Sequence, residues 1–125
     1  MDDVSFDVKA GHVLGIVGES GCGKSVTALS IMRLLPKPSG IIEEGEILFK
    51  GDTDLAKIDA DALHSFRGHR MAMIFQEPMT ALNPVHRIGD QLREVFELHF
   101  SEMEEDKIRK HTLDLLKKVG IPEAQ

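Results

Sequence analysis

Hydrophobic positions follow two regimes along this chain: short runs broken by glycine up to residue 76, and recurrence every three or four residues beyond it. Val4, Phe6 and Val8 alternate with polar residues, the period of a half-buried strand, although Phe6 is expected in the core. The run HVLGIVG, His12 to Gly18, is short, apolar and bounded by glycines, which predicts a strand buried on both faces. Lys24 to Leu35 then reads as a buried helix, with Thr27, Ser30 and Arg33 as a narrow polar stripe and Pro36 and Pro38 as its stop. Ile47 to Phe49 predicts a further short strand ending in a Gly51–Asp52 turn. Asp59 or Asp61 is placed to cap a short helix through Phe66, closed by Gly68. RMAMIFQ, Arg70 to Gln76, predicts a second buried strand.

Past Gln76 the period changes to that of helices. Ile88, Leu92, Val95, Phe96 and His99 keep helical spacing, as do Ile108, Thr112, Leu115, Leu116 and Val119. Ser101 and Glu104 form an S-x-x-E capping box before the second helix, and Gly120 is its stop. The acidic run Glu102 to Asp106 reads as a solvated helix start, where carboxylates suit the helix dipole. The expected order is an α/β part over residues 1–76, then a loop and helical hairpin over 77–125.

Composition narrows the function classes. At 125 residues and 42% hydrophobic, the chain is one domain's worth, or part of a larger domain, with enough apolar surface to build a core. A net charge of -6 argues against a nucleic-acid surface, which needs a basic field. No uncharged apolar stretch approaches the ~20 residues of a membrane span, and no leader precedes the first strand-like segment, so a cytosolic chain is expected. The single cysteine, Cys22, excludes an internal disulfide. His64 and His69 lack the helical spacing of a metal pair and are expected at the solvated surface.

The chemistry concentrates in GESGCGKS, Gly18 to Ser25, which matches G-x-x-x-x-G-K-[ST], the P-loop. Gly18, Gly21 and Gly23 permit backbone angles that let successive N–H groups turn inward around an anion. Lys24 is expected to reach the β- and γ-phosphates, and the Ser25 hydroxyl to hold Mg²⁺. A strand before and a helix after would set the helix N-terminus, with about half a positive charge, against the phosphates. Cys22 reads as a small residue tolerated inside that loop.

A P-loop enzyme also needs an acid at the end of another strand to hold the Mg²⁺ shell. The strand at 70–76 ends instead in Gln76, with Glu77 one place later against Pro78. Asp52 reads better as a turn residue, so the chain carries no convincing metal carboxylate. A neutral amide at a strand end can still touch Mg²⁺ or the attacking water, and Pro78 and Pro84 restrain the loop that follows it.

VLGIVGESGCGKSVTALSIMRLLP together with MAMIFQEPMTALNPVHRIGDQL resembles the ATP-binding subunit of bacterial ABC importers, within the dipeptide, oligopeptide, nickel and glutathione group. The resemblance covers nearly the whole chain. It implies a P-loop NTPase core with a small antiparallel β portion and the start of an α-helical subdomain, binding ATP and Mg²⁺. It implies a nucleotide-contacting set of Gly18, Glu19, Ser20, Gly21, Cys22, Gly23, Lys24, Ser25 and Val26. Gln76 would be the Q-loop glutamine, joining Ser25 at the metal and Lys24 in the incomplete catalytic set. The implied partners are membrane permease subunits through the Q-loop and helical subdomain, a second ATPase subunit, and indirectly a substrate-binding protein, at the cytoplasmic face of the inner membrane.

The signature motif, the metal carboxylate with its catalytic Glu and the switch histidine of that family have no counterpart in these 125 residues. The chain is therefore expected to be an N-terminal portion that grips nucleotide without hydrolysing it alone. The rival reading is a self-contained small P-loop NTPase or nucleotide kinase. Against it stand the absence of N-K-x-D, which a GTPase would carry, and an acidic second half where a kinase would carry a basic lid.

Overall fold

A computed structural model describes residues 3–78 and 81–121, which fall into two compact units, residues 1–63 and 64–125. In the first unit, α1 (Lys24–Ile31) precedes a hairpin of β1 (Leu48–Phe49) and β2 (Thr53–Asp54). Helix α2 (Ala60–Phe66) spans the boundary, and α3 (Ile88–His99) and α4 (Glu105–Lys118) belong to the second unit.

The hairpin is antiparallel, with Leu48 opposite Asp54 and Phe49 opposite Thr53. Its turn requires positive φ at Lys50 (+55°) and Gly51 (+83°), the handedness that matches the twist of paired strands. Asp54 fastens the open end of the hairpin: Oδ1 accepts the N–H groups of Ile47 and Ala56, each at 3.0 Å, and Oδ2 meets the Lys57 ammonium at 2.8 Å. The Lys57 contact, then the Ile47 N–H, hold this carboxyl at about 2, below its ordinary 3.8. A depressed carboxyl stabilises the fold above its unfolded value and ceases to do so as pH falls through the folded one. Urea midpoints of the chain should therefore fall as pH drops from about 4 to about 2, more steeply than those of Asp54→Asn.

Helix α1 is shorter than its pattern predicts. It ends at Ile31, well before Pro36, because Arg33 takes up φ +49° and closes a Schellman motif: Leu34 N–H donates to Leu29 O at 2.8 Å and Arg33 N–H to Ser30 O at 3.0 Å. Glycine usually fills that position, since a Cβ there costs roughly 1–2 kcal/mol. The Arg33 guanidinium offsets the strain by donating to Ile58 O at 2.5 Å and Leu55 O at 3.4 Å, tying α1 to the turn after the hairpin. The polar stripe bonds back to the chain. Thr27 is buried and donates to Gly23 O at 3.0 Å, and Ser30 donates to Val26 O at 2.8 Å. Met32, Leu55 and Leu63 are the buried apolar side chains of this unit among the described residues.

Three expected strands are not formed. Residues 4–8, 12–18 and 70–76 run as irregular backbone, with Met71 making one isolated bridge to Arg67. Val13, Val17 and Ile74 are 97%, 92% and 94% exposed, and Phe6, expected in the core, is 45% exposed. A strand buried on both faces exists only where neighbours complete its ladder and helices cover it, and among the described residues nothing does so for these segments.

The helical predictions fare better. Asp59 caps α2, its Oδ1 accepting Ala62 N–H at 2.7 Å, and Gly68 follows at φ +82°. Helices α3 and α4 pack on each other, with the Phe96 and His111 rings stacked at 5.8 Å and an Arg93–Glu105 ion pair at 3.0 Å. Helix α4 buries Ile108 and Thr112 and ends in a second Schellman motif at Gly120, φ +87°. The capping box does not form. Glu104 itself is the N-cap, without a side-chain cap bond, and Ser101 lies three residues earlier in a turn. Glu105 and Asp106 occupy the first turn, where the dipole favours them. His64 and His69 are exposed, and the His69 ring packs edge-on against Phe100 at 5.4 Å. No helix among the described residues is long and apolar enough to cross a membrane.

Candidate functional site

The loop from Gly18 to Gly23 ends where α1 begins, and its shape depends on two glycines. Gly21 at φ +84° and Gly23 at φ +101° hold left-handed backbone that a side chain would strain. Gly18 does not share this conformation, contrary to expectation. Its φ is not positive; instead, a Cβ there would lie 2.5 Å from Cys22 Sγ. The loop thus folds back so closely that residue 22 sits over residue 18.

Lys24 closes this fold. Its Nζ donates to Gly18 O and Glu19 O, both at 2.7 Å, and lies 3.5 Å from Cys22 Sγ. An ammonium has three hydrogens, so the loop engages all of them. The positive charge is therefore held at the mouth of the loop.

Beneath that charge is a helix start with unused donors. Gly23 is the N-cap and supplies no side chain, and no acidic residue lies in the first turn. The N–H of Thr27 reaches Gly23 O at 2.8 Å, whereas those of Lys24, Ser25 and Val26 find no partner among the described residues. Ser25 is exposed in the first turn of the helix. Orphan amides and a helix dipole favour an anion at the start of α1. The three unpartnered amides and the exposed Ser25 hydroxyl suit an anion bearing several oxygens, as a phosphate does, and the Lys24 ammonium joins them by exchanging one of its loop contacts.

The structure gathers Gly18, Glu19, Cys22, Lys24 and Ser25 in the unit of residues 1–63, together with Ser20, Gly21, Gly23 and Val26. Gln76 belongs to the other unit. It is exposed on a bend, not at the end of a strand as its apolar approach predicts, because residues 70–76 have no ladder to end. Asp52 is the turn residue expected of it, accepting the Thr53 hydroxyl at 2.9 Å. Sequence reasoning missed Arg33, which fixes the far end of the P-loop helix. The only signal was an arginine just past the helix end, where glycine is the common choice.

Known proteins resemble the chain along nearly its whole length. A family model described as ABC transporter matches residues 1–125. The chain is 49% identical over 120 residues to the dipeptide transport ATP-binding protein DppD of Bacillus subtilis, covering 96% of this chain and 35% of that protein. It is 48% identical over 122 residues to the probable peptide ABC transporter ATP-binding protein y4tR of Sinorhizobium fredii, covering 98% and 36%. Against the peptidoglycan transport ATP-binding protein YejF of Agrobacterium fabrum it is 49% identical over 125 residues, covering 100% and 22%. The chain therefore spans between about a fifth and about a third of the length of these relatives. With a match along its whole length, the chain belongs to the ABC transporter family.

Proposed function

We propose that this chain is the nucleotide-binding portion of an ABC-type ATPase subunit that energises uptake of peptides or related small solutes. The observation that carries the reading is the loop itself: Lys24 bonded back to Gly18 and Glu19, and a helix start with three orphan amides where the loop ends. ATP, taken as its magnesium complex, supplies the phosphoryl bond whose hydrolysis drives transport.

Each residue then has a distinct task. The loop from Gly18 to Val26, Glu19 and Ser20 included, wraps the nucleotide phosphates, and the Lys24 ammonium binds their oxygens. The Ser25 hydroxyl orients toward the metal, and the Gln76 amide is a movable contact at the metal or the attacking water. Residues 1–76 are the nucleotide-binding core, and residues from 77 onward begin the helical subdomain. The segments 12–18 and 70–76 become strands where partner strands complete their ladders, giving the α/β core of a P-loop NTPase. Permease subunits dock through the Gln76 loop and the helical subdomain at the cytoplasmic face of the membrane. A second ATPase subunit completes each nucleotide site, and a substrate-binding protein acts indirectly. The peptide assignment rests on the names of the relatives and on the FQEPMTALNP stretch.

Cys22 provides a direct test, because its thiol is exposed beside Lys24 and over Gly18. Saturating magnesium-ATP should slow alkylation of Cys22 by N-ethylmaleimide at least fivefold, and magnesium alone should not. Equal labelling rates with and without nucleotide would place the phosphates elsewhere and overturn the reading.

A further inference from the structure

The segment after the Gln76 loop has little apolar burial to hold it. Leu82 and Val85 are 46% and 83% exposed, and every residue from 81 to 90 is exposed. Yet this stretch has a defined path, and one side chain from α3 accounts for it. Gln91 Oε1 accepts the Asn83 N–H at 2.8 Å, while Nε2 donates to Asn83 O at 3.0 Å and to His86 O at 3.1 Å. The reversed amide would set NH₂ against an N–H and oxygen against two carbonyls, so the network admits a single orientation. Asn83 completes the turn, with Oδ1 accepting Val85 N–H at 3.1 Å and its carbonyl accepting His86 N–H at 3.3 Å. Pro84, inside the turn, has no N–H to satisfy and a preset φ. Both Gln91 amide hydrogens are committed to the chain, and none is left over for a ligand.

We propose that Gln91 latches residues 83–86 to α3, so that the return leg of the Gln76 loop moves together with that helix. The consequence for coupling rests on the role given to Gln76 under Proposed function. There, Gln91 is a positioning residue: a displacement of α3 is passed to the loop through the amide, and a displacement of the loop reaches the helix by the same route. Hydrogen bonds decide this where apolar burial is slight, because three from one side chain act on one short segment.

Hydrogen exchange on the 125-residue chain tests the latch. In Gln91→Leu the amides of Asn83, Val85 and His86 should exchange at least tenfold faster, while those of residues 95–99 in α3 stay within threefold. Gln91→Glu, of equal size, should also release the segment at neutral pH, since a carboxylate would face two carbonyls. Unchanged exchange in both variants would overturn the latch. The coupling role is read in the full-length protein assembled with its permease. Gln91→Leu should lower permease-dependent ATP turnover at least fivefold while the Kd for magnesium-ATP stays within twofold. Faster exchange with unaltered permease-dependent turnover would overturn the positioning role and leave the role of Gln76 standing. Absence of permease-dependent turnover in the unmutated assembly would overturn the functional reading and the coupling role together.

Discussion

Replacing Lys24 with alanine should weaken magnesium-ATP binding by roughly 10- to 150-fold, because a hydrogen bond to a charged group contributes about 1.5–3 kcal/mol and each 1.4 kcal/mol is tenfold. The ammonium is bonded to Gly18 O and Glu19 O at 2.7 Å, so a phosphate oxygen takes the place of one of these carbonyls, and the titration reads the net of that exchange. Lys24→Ala removes the cation and these two tethers together. Lys24→Arg separates the effects. A guanidinium keeps the charge, but its planar fork does not fit between two carbonyls held by a compact ammonium, so it should recover only part of the affinity. Isothermal titration of the folded variants decides the matter, with urea midpoints verifying that each is folded. An alanine variant with unaltered affinity would show that Gly18–Ser25 is not the phosphate site. Equal loss for ATP and inorganic triphosphate would locate the effect at the phosphates and away from the base.

The second large effect is on stability. Leu55→Ala should destabilise the chain by about 2–5 kcal/mol, the range for a buried leucine whose site relaxes only partly. Leu55 is 2% exposed and comes directly after Asp54 at the end of the hairpin. Its N–H donates to Ile47 O at 2.7 Å, and its carbonyl accepts from Arg33. Truncation therefore opens a cavity where the hairpin and the end of α1 are held together. With Met32 and Leu63 as the other buried apolar side chains of this unit among the described residues, there is little packing to spare. A fall of the urea midpoint with unchanged m-value is the expected observation. A change under about 0.5 kcal/mol, typical of surface sites, would mean that Leu55 is not part of a packed core.

Lys24→Ala and Leu55→Ala should also differ in the property each alters. The first acts on an exposed loop and should leave the midpoint nearly unchanged, and the second should reduce nucleotide affinity only as far as it unfolds the chain. Sites without shared partners behave additively, so the double variant should display both losses independently.

Local chemistry was legible in the sequence because it depends on neighbours a few positions away. The P-loop is set by glycines and a lysine within eight residues, and the cap at Asp59, the turn at Gly51–Asp52, the stop at Gly120 and the spans of α3 and α4 come from the same short range. The family was legible for that reason too, since its motifs are contiguous. Strand formation was legible at Leu48–Phe49, beside its own turn, and not elsewhere. The apolar runs at 12–18 and 70–76 have strand composition, but a strand is made by hydrogen bonds to another segment, and no run of residues specifies that its partner is present. The end of α1 was likewise decided by tertiary structure. Arg33 holds left-handed backbone because Leu55 and Ile58, more than twenty residues away, accept its guanidinium hydrogens. Gln91 belongs to the same class: its helix was readable from periodicity, but only the fold brings its amide to Asn83 and His86, where short hydrogen bonds do what burial does elsewhere.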